Sequence, residues 1–334
     1  MNKQISFLLL ILFLVAPLPA YSKDNVVVVK LSGAINPAVA EYVSYEISQA
    51  NAEKDSLIVL HMDTPGGLDT SMREIIKKIQ SSEVPVASFV APTGSRAASA
   101  GTFITMASHI AAMAPGTNIG AAHPINMLGG GNDNEQAKTM KKKVVNDAAA
   151  YIRSLAELRK RNAHWAELAV VNSVSISAEE AMKLNVIDLV AGDVKALILA
   201  IDGREVQLAS GSVRLKTKNL KIIYHEMSPR QKLLDIISSS NVTYILMMLG
   251  LVGLFFELSN PGLVLPGVIG SISLILALYA MQTLPINYAG LLLILFGVIL
   301  FIAEINVMSY GLLSISGVVS IFLGSTMLID SDDP

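Results

Sequence analysis

The apolar residues of this chain are concentrated towards its two ends, and this distribution restricts the folds that the sequence can adopt. The sequence contains no lysine or arginine after Lys232. Four apolar stretches follow that residue, at 242–258, 264–281, 289–305 and 311–329. Each is close to the roughly 20 residues that a helix needs to cross a bilayer. We therefore predict an all-α transmembrane block over 242–329, followed by a short acidic tail at 330–334.

The acidic and glycine residues of this block recur in two sets, which are Glu257, Asn260, Gly262 and Gly267, and then Glu304, Asn306, Gly311 and Gly317. Each set joins two apolar stretches. The pattern is typical of two related helical hairpins, although chance recurrence in glycine-rich membrane helices would produce it equally well.

The first 20 residues have the pattern of a secretory signal peptide, with a positive Lys3, an apolar core and a plausible cleavage region ending at Ala20. Leu18 is larger than the residue usually found three positions before the cut, so an uncleaved anchor is the alternative. In both cases the following region is expected on the extracytoplasmic side. The four spans would return the acidic tail to that side, and no positive charges flank them to orient them independently.

Residues 21–225 alternate strand and helix patterns, as an α/β domain does. Continuous apolar runs predict strands at 26–31, 57–62, 84–90, 109–114 and 186–190. Helical spacing predicts helices at 37–50, 68–80, 97–107 and 135–160. Ser177 has the sequence context of a helix cap. A linker or amphipathic segment at 226–241 then leads into the membrane block.

Composition excludes several classes of site. The chain has no cysteine, so it has neither a disulfide framework nor a thiolate metal site. A net charge of −2 gives no reason to expect nucleic acid binding. We find no phosphate-binding loop and no zinc-ligand spacing in the sequence, and we predict no metal and no cofactor.

Two turns rich in small residues follow predicted strands about 30 residues apart. The first, Thr64 to Leu68, contains Gly66 and Gly67, whose backbone N–H groups could serve as oxyanion donors. The second places Ser99 among alanines at the start of a helix, where developing negative charge is favoured. Each turn alone has an ordinary structural explanation, but their succession favours a catalytic site.

These motifs, Thr64-Pro-Gly-Gly and Ala97-Ala-Ser-Ala-Gly, resemble those of the ClpP-like serine peptidases, which have the crotonase-type fold. The exported region together with the membrane block resembles the NfeD family of membrane-bound serine proteases more closely. Further matching segments begin at Leu31, Met113, Asn146 and Ala178. The resemblance implies a repeated ββα spiral over residues 26–190, followed by the transmembrane helices.

The resemblance makes Ser99 the nucleophile, with oxyanion and substrate contacts from Gly66, Gly67, Leu68 and Ala100. ClpP uses a histidine base, and Ala122 stands at that place here. The NfeD proteases use a lysine at the start of the long helix, which corresponds to Lys143. A lysine acts as a base only when its amine is neutral, which burial in an apolar pocket favours.

The residues themselves leave alternatives open at this site. Helical periodicity puts Lys141, and not Lys143, in phase with the apolar stripe of the long helix, and Lys142 lies between them. Ser95 is a minor rival nucleophile, and His123 is a rival base.

By resemblance, the chain is expected to be a membrane-anchored serine endopeptidase that cuts hydrophobic segments of a stomatin-like (SPFH) partner, and to form a homo-oligomer. A non-catalytic scaffold for such a partner and a signal-peptide peptidase are the alternatives. An acyl-CoA enzyme of the crotonase type is the least favoured. Longer family members continue into an OB-type domain that this sequence does not contain, so it represents either a short form or a truncated one.

Overall fold

The computed structural model describes residues 23–124, 135–260, 264–281, 288–306 and 311–327. The signal segment predicted at 1–20 and the acidic tail predicted at 330–334 lie outside these ranges. The chain separates into two compact units, Met1–Ser239 and Ser240–Pro334. The division falls within the segment 226–241.

The described strands belong to the first unit. They are β1 (Lys23–Ser32), β2 (Asp55–Asp63), β3 (Val86–Val90), β4 (Arg96–Ala98), β5 (Ile110–Met113), β6 (Asn118–Gly120), β7 (Ser175–Ser177), β8 (Leu189–Val190), β9 (Glu205–Leu208), β10 (Gly211–Arg214) and β11 (Lys221–His225). The strands predicted at 26–31, 57–62, 84–90 and 109–114 are confirmed, whereas the one predicted at 186–190 is only two residues long.

The described helices of this unit surround the strands. They are α1 (Pro37–Glu53), α2 (Asp69–Gln80), α3 (Ala100–Ala107), α4 (Glu135–Leu158), α5 (Ala163–Val171), α6 (Ala178–Lys183), α7 (Val194–Ala200) and α8 (Pro229–Ile237). The predicted cap is confirmed, because the Ser177 side chain accepts from the Glu180 backbone N–H and the Glu180 side chain accepts from the Ser177 backbone N–H.

Six strands form a parallel sheet in the order β11-β1-β2-β3-β5-β8. Helices cover both faces of this sheet, which explains why its strands are continuous apolar runs and not alternating ones. In β1, Val27, Val29 and Leu31 enter one core cluster, while Val26 and Val28 enter the other.

A second layer of short strands runs beside the large sheet. Here β4 pairs in parallel with β6, and β6 pairs antiparallel with β7. Single bridges join Ile35 to Gly67 and Thr64 to Ala97. The chain therefore repeatedly passes from a strand of the large sheet through the short layer into a helix, which confirms the predicted ββα spiral.

One predicted boundary was wrong in a way that matters for the site. The helix expected to begin at Ala97 begins at Ala100, because residues 96–98 form β4. Helical spacing could not reveal this, since alanines suit both conformations and the strand depends on pairing with β6 and Thr64.

The described helices of the second unit are α9 (Ser240–Ser259), α10 (Leu265–Met281), α11 (Tyr288–Asn306) and α12 (Leu312–Met327). Among the described helices, one stretch, Asn241–Ser259, is long and apolar enough to cross a membrane. The other three helices contain shorter apolar stretches, Leu265–Ala280, Leu292–Phe301 and Leu312–Gly324. These four helices pack in sequential pairs.

Glycines allow a close backbone approach within each pair. A Cβ added to Gly253 would lie 2.8 Å from the Cα of Gly270, and one added to Gly297 would lie 2.8 Å from the carbonyl oxygen of Gly317. The Glu304 carboxylate accepts 3.0 Å hydrogen bonds from the N–H groups of Gly311 and Ser314, which satisfies the start of α12. The two pairs agree with the predicted helical hairpins.

Candidate active site

Ser99 lies at a sharp turn between β4 and α3. Its φ of 51° and ψ of −116° are strained for a residue with a Cβ. Such strained strand-to-helix turns are a recurrent way of presenting a nucleophilic serine. The side chain makes no hydrogen bond to cap α3, and none to any other described residue. The alternative in which the Ser99 hydroxyl is bonded to its own helix backbone is therefore not observed.

Backbone pairing holds this turn from both sides. The Ser99 N–H donates to the Gly120 carbonyl oxygen at 3.1 Å, and Thr64 exchanges hydrogen bonds of 2.8 and 3.1 Å with Arg96 and Ala98. The buried Thr102 hydroxyl lies 2.9 Å from the carbonyl oxygens of both Ala97 and Gly120. The neighbouring elements thus stabilise a conformation that Ser99 would not adopt alone.

Gly66 forms the wall of the site directly beside the serine. A Cβ added to Gly66 would lie 2.6 Å from the Ser99 Cβ and 3.1 Å from its Oγ, so a larger residue would displace the hydroxyl. The φ of Gly66 is 119°, which also favours glycine. Its N–H donates to the Thr64 Oγ1 at 3.0 Å, which fixes the turn.

Gly67 and Leu68 have different backbone environments, although both were predicted to supply oxyanion donors. The Leu68 N–H already donates to the Ile35 carbonyl oxygen at 2.9 Å, and the Ile35 N–H donates to the Gly66 carbonyl oxygen at 2.8 Å. By contrast, the N–H groups of Gly67 and Ala100 make no hydrogen bond to any described residue. The first belongs to the glycine turn beside Ser99, and the second to the start of α3.

The candidate base lysines lie on α4. The stripe of this helix that was predicted to face the core does so, with Ala148, Ile152 and Leu155 buried. Lys141, Lys142 and Lys143 are all exposed, and Lys143 makes no hydrogen bond to a described residue. The structure therefore does not bring Lys143 into contact with Ser99 within its described part. The segment 125–134, which precedes α4, lies outside that part.

A polar and aromatic cluster, which sequence reasoning missed, joins α2, α3 and α4. Arg73 forms ion pairs with Asp69 at 2.8 Å and with Asp147 at 2.5 Å. Its guanidinium carbon also lies 4.3 Å from the ring centroid of Tyr151, and that ring stacks on Phe103 at 6.0 Å. The only sequence signal was the i,i+4 spacing of Asp69 and Arg73, since the other contacts depend on the tertiary fold.

The rival residues are occupied elsewhere. The Nδ1 of His123 lies 2.8 Å from the Val170 carbonyl oxygen, and Ser95 is buried in the turn before β4. Ala122, for which the resemblance predicts the position of the ClpP base, is buried and has no group that accepts a proton. Among the described residues there is no cluster of His, Cys, Asp and Glu that could hold a metal ion.

A buried ion pair supports the opposite end of α3. Arg161 donates to the carbonyl oxygens of Thr105, Met106 and Ser108, and pairs with Asp188 at 2.6 Å. Burial opposes ionisation of Asp188, but Arg161 and the Ala111 N–H outweigh this effect and lower the pKa of the carboxyl group. The arginine thus satisfies the last carbonyls of the helix that begins beside the serine.

Two family models match the chain. The NfeD1b N-terminal domain matches residues 25–207, and the NfeD integral membrane domain matches residues 241–334. The membrane-bound protease PH1510 of Pyrococcus horikoshii is 34% identical over 330 residues, which cover 98% of this chain and 74% of that protein. The membrane protein NfeD1b of Bacillus subtilis is 28% identical over 310 residues, covering 91% and 68% of the two chains.

Solved structures give the same result for the first unit. A lysine-to-alanine mutant of the 1510-N membrane-bound stomatin-specific protease, in complex with a substrate peptide, matches with a TM-score of 0.59 and 35% identity. That match covers 65% of this chain and 99% of the other. A serine-to-alanine mutant of the same protease matches with a TM-score of 0.57 and 34% identity, covering 62% of this chain and 100% of the other.

The α/β spiral with a strained serine turn and an attached helical membrane domain defines a class of membrane-associated proteases. The chain belongs to the NfeD family. Its membrane domain and its relatives together support a membrane protease.

Proposed function

We propose that this protein is a serine endopeptidase in which Ser99 attacks a peptide carbonyl and Lys143 accepts its proton. The observation that supports this most strongly is the strained Ser99 turn, which packs against Gly66. The N–H groups of Gly67 and Ala100 near it have no hydrogen-bond partner among the described residues. In this mechanism the N–H groups of Gly67 and Ala100 donate to the tetrahedral oxyanion. The Leu68 N–H, which donates to the Ile35 carbonyl oxygen, is left out of the proposed oxyanion contacts.

Lys143 requires a further step, since the residue is exposed and its amine has no partner in the described part of the chain. A cationic amine cannot accept a proton, whereas an amine covered by apolar groups favours the neutral form. We propose that an apolar substrate segment, or a second copy of the chain, covers the start of α4 and brings Lys143 to Ser99. Lys143 would then return the proton to the leaving amine.

The substrate class in this proposal is a hydrophobic segment of a stomatin-like (SPFH) membrane protein, cut on the extracytoplasmic side of the membrane. The support comes from the relatives, of which one is a stomatin-specific protease bound to a substrate peptide. We propose in addition that the four helices of the second unit all cross the membrane, and that the working form is a homo-oligomer.

The test is cleavage of casein and a set of apolar peptides by the full chain in detergent. Ser99→Ala and Lys143→Ala are expected to abolish activity, while Lys141→Ala, a matched exposed lysine on the same helix, is expected to retain it. Loss in Lys141→Ala but not in Lys143→Ala would reassign the base. Activity that survives Ser99→Ala would disprove the mechanism.

A non-catalytic scaffold for the same partner is the second candidate, because the exposed Lys143 makes no contact with Ser99 within the described part of the chain. This candidate predicts that Ser99→Ala leaves partner binding and cellular function intact. The assay for it is co-purification of the partner with the wild-type chain and with the Ser99→Ala variant.

A further inference from the structure

The helix α8, just before the membrane domain, has two chemically different faces. On one face the Asp235 Oδ1 accepts a 2.8 Å hydrogen bond from the Asn36 side chain, and α8 packs against α1. On the other face, Leu233 and Ile236 are each 57% exposed. The helix is well capped, because Ser228 and Gln231 form a reciprocal capping box and Pro229 occupies the first turn.

The exposed face of α8 is also basic. Arg230 and Lys232 are exposed beside the two aliphatic side chains, and Arg230 has no ion pair within the described part of the chain. The Lys232 amine lies 2.9 Å from the Glu226 carboxylate, but both groups remain largely exposed. A short helix with aliphatic residues on one face and basic residues beside them is suited to the surface of an anionic bilayer.

In the sequence, α8 lies directly before the apolar span. The apolar span begins at Asn241, five residues after Ile236. Even a fully extended link of that length reaches only about 18 Å. The link here is compact, because both the N–H and the hydroxyl of Ser239 donate to the Ile236 carbonyl oxygen, at 3.1 and 2.7 Å. The chain therefore leaves α8 only a short distance before the apolar span begins.

The size of the patch argues against a protein partner. Stable protein interfaces bury about 800 Å² on each side. Two aliphatic side chains on a nine-residue helix cannot supply that area, whereas a bilayer needs only a narrow apolar stripe beside basic groups.

We propose that α8 is an interfacial helix that lies in the membrane surface, with Leu233 and Ile236 below the headgroups and Arg230 and Lys232 at anionic phosphates. The Asp235–Asn36 hydrogen bond joins this helix to the N-cap of α1 within the first unit. Asn36 directly follows Ile35, and Ile35 pairs with the Gly66–Gly67 turn beside Ser99. The residue that α8 binds is therefore the sequence neighbour of a residue that contacts the candidate site. This proposal does not rest on the protease activity.

The absence of cysteine from the sequence makes a direct test possible in the full chain. Leu233→Cys and Ile236→Cys, each labelled with an environment-sensitive fluorophore, are compared in nanodiscs with and without lipids that carry a shallow quencher. The matched control is Leu199→Cys on α7, where the side chain is 62% exposed. We expect quenching at 233 and 236 to exceed that at 199 by at least about twofold, as for side chains at the acyl boundary.

The experiment distinguishes the other possible occupants of this face. Lipid quenching at 233 and 236 that is no greater than at 199 would overturn the proposal. Labels shielded from both the lipid quencher and aqueous iodide would also overturn it, because they would indicate a protein contact. The anionic part is tested by Arg230→Gln in the Ile236→Cys background. Quenching of the Ile236→Cys label is expected to be stronger in anionic than in zwitterionic nanodiscs, and Arg230→Gln is expected to remove this difference. Equal quenching of the Ile236→Cys label in both lipids would contradict the proposed contact with anionic phosphates.

Discussion

The two halves of the candidate site differ in how completely a single chain builds them. The half around Ser99 and Gly66 is fixed by backbone hydrogen bonds, bridges and a close glycine contact. The half that carries Lys143 is an exposed stretch of α4, and among the described side chains of that helix the buried stripe lies later, at Ala148, Ile152 and Leu155. Oxyanion stabilisation needs donors that are positioned in advance, whereas a lysine base needs cover from water. The difference suggests that the substrate or a second copy completes the site.

The largest expected effect is on the fixed half. Ser99→Ala should lower peptide cleavage by at least about 1,000-fold, because the proposed acyl intermediate forms on the Ser99 hydroxyl. Ser95→Ala, four residues earlier in the same turn region, should retain activity within about threefold, since Ser95 is buried and lies outside the proposed chemistry. The measurement is kcat/KM on an apolar peptide, and equal losses in the two variants would contradict a specific role for Ser99.

The glycine turn should be nearly as sensitive. A Cβ at Gly67 would lie 2.2 Å from the Ile35 carbonyl oxygen, so Gly67→Ala must shift the turn and its amide. We expect kcat to fall by about 100-fold, as on removal of an oxyanion donor. The control is Gly192→Ala, where an added Cβ meets nothing within 4 Å. Full activity in Gly67→Ala would show that the part of the site around Ser99 tolerates displacement of the Gly67 amide.

The buried His109 should make the folded state less stable at acidic pH. Burial, together with Arg159 and Arg161, lowers the pKa of His109 to about 3, and its Nδ1 accepts the Val86 N–H. The folded state keeps His109 neutral below pH 6.5, whereas the unfolded chain takes up a proton. Stability is therefore lost as pH falls, by about 2 kcal/mol between pH 7 and 5.

Denaturation followed by the fluorescence of Trp165, the single tryptophan, measures this slope. His109→Gln should flatten it, and His164→Gln, which changes an exposed histidine, should leave it unchanged. An unchanged slope in His109→Gln would exclude His109 as the titrating group.

The smallest expected effect is on Arg73, which connects α2 to the helix that carries Lys143. Arg73 ties α2 to α4 through Asp147 and Tyr151, so Arg73→Gln should loosen α4 and lower kcat by about 10-fold with little change in KM. Arg153→Gln, which removes the exposed pair of α4 with Glu167, is the matched control. Equal kcat values in the two variants would mean that α4 is positioned by the substrate alone.

The sequence alone predicts most of the large sheet, because β1, β2, β3 and β5 are continuous apolar runs whose burial determines their structure. It does not predict β4, since Ala97 and Ala98 are compatible with strand and helix and only pairing with β6 decides between them. Ser99 and the glycine turn could be predicted from motif resemblance. The engaged Leu68 N–H and the Arg73 cluster could not, because both depend on contacts between residues distant in sequence.

The most direct test of the central claim is covalent labelling of the full chain with a fluorophosphonate, which reacts with activated serine hydroxyls. We expect one adduct per chain, located on Ser99 by peptide mass spectrometry and absent from the Ser99→Ala variant. We also expect slower labelling in Lys143→Ala than in Lys141→Ala. An adduct on Ser95, or labelling that is unchanged in Ser99→Ala, would contradict the assignment of Ser99 as the nucleophile.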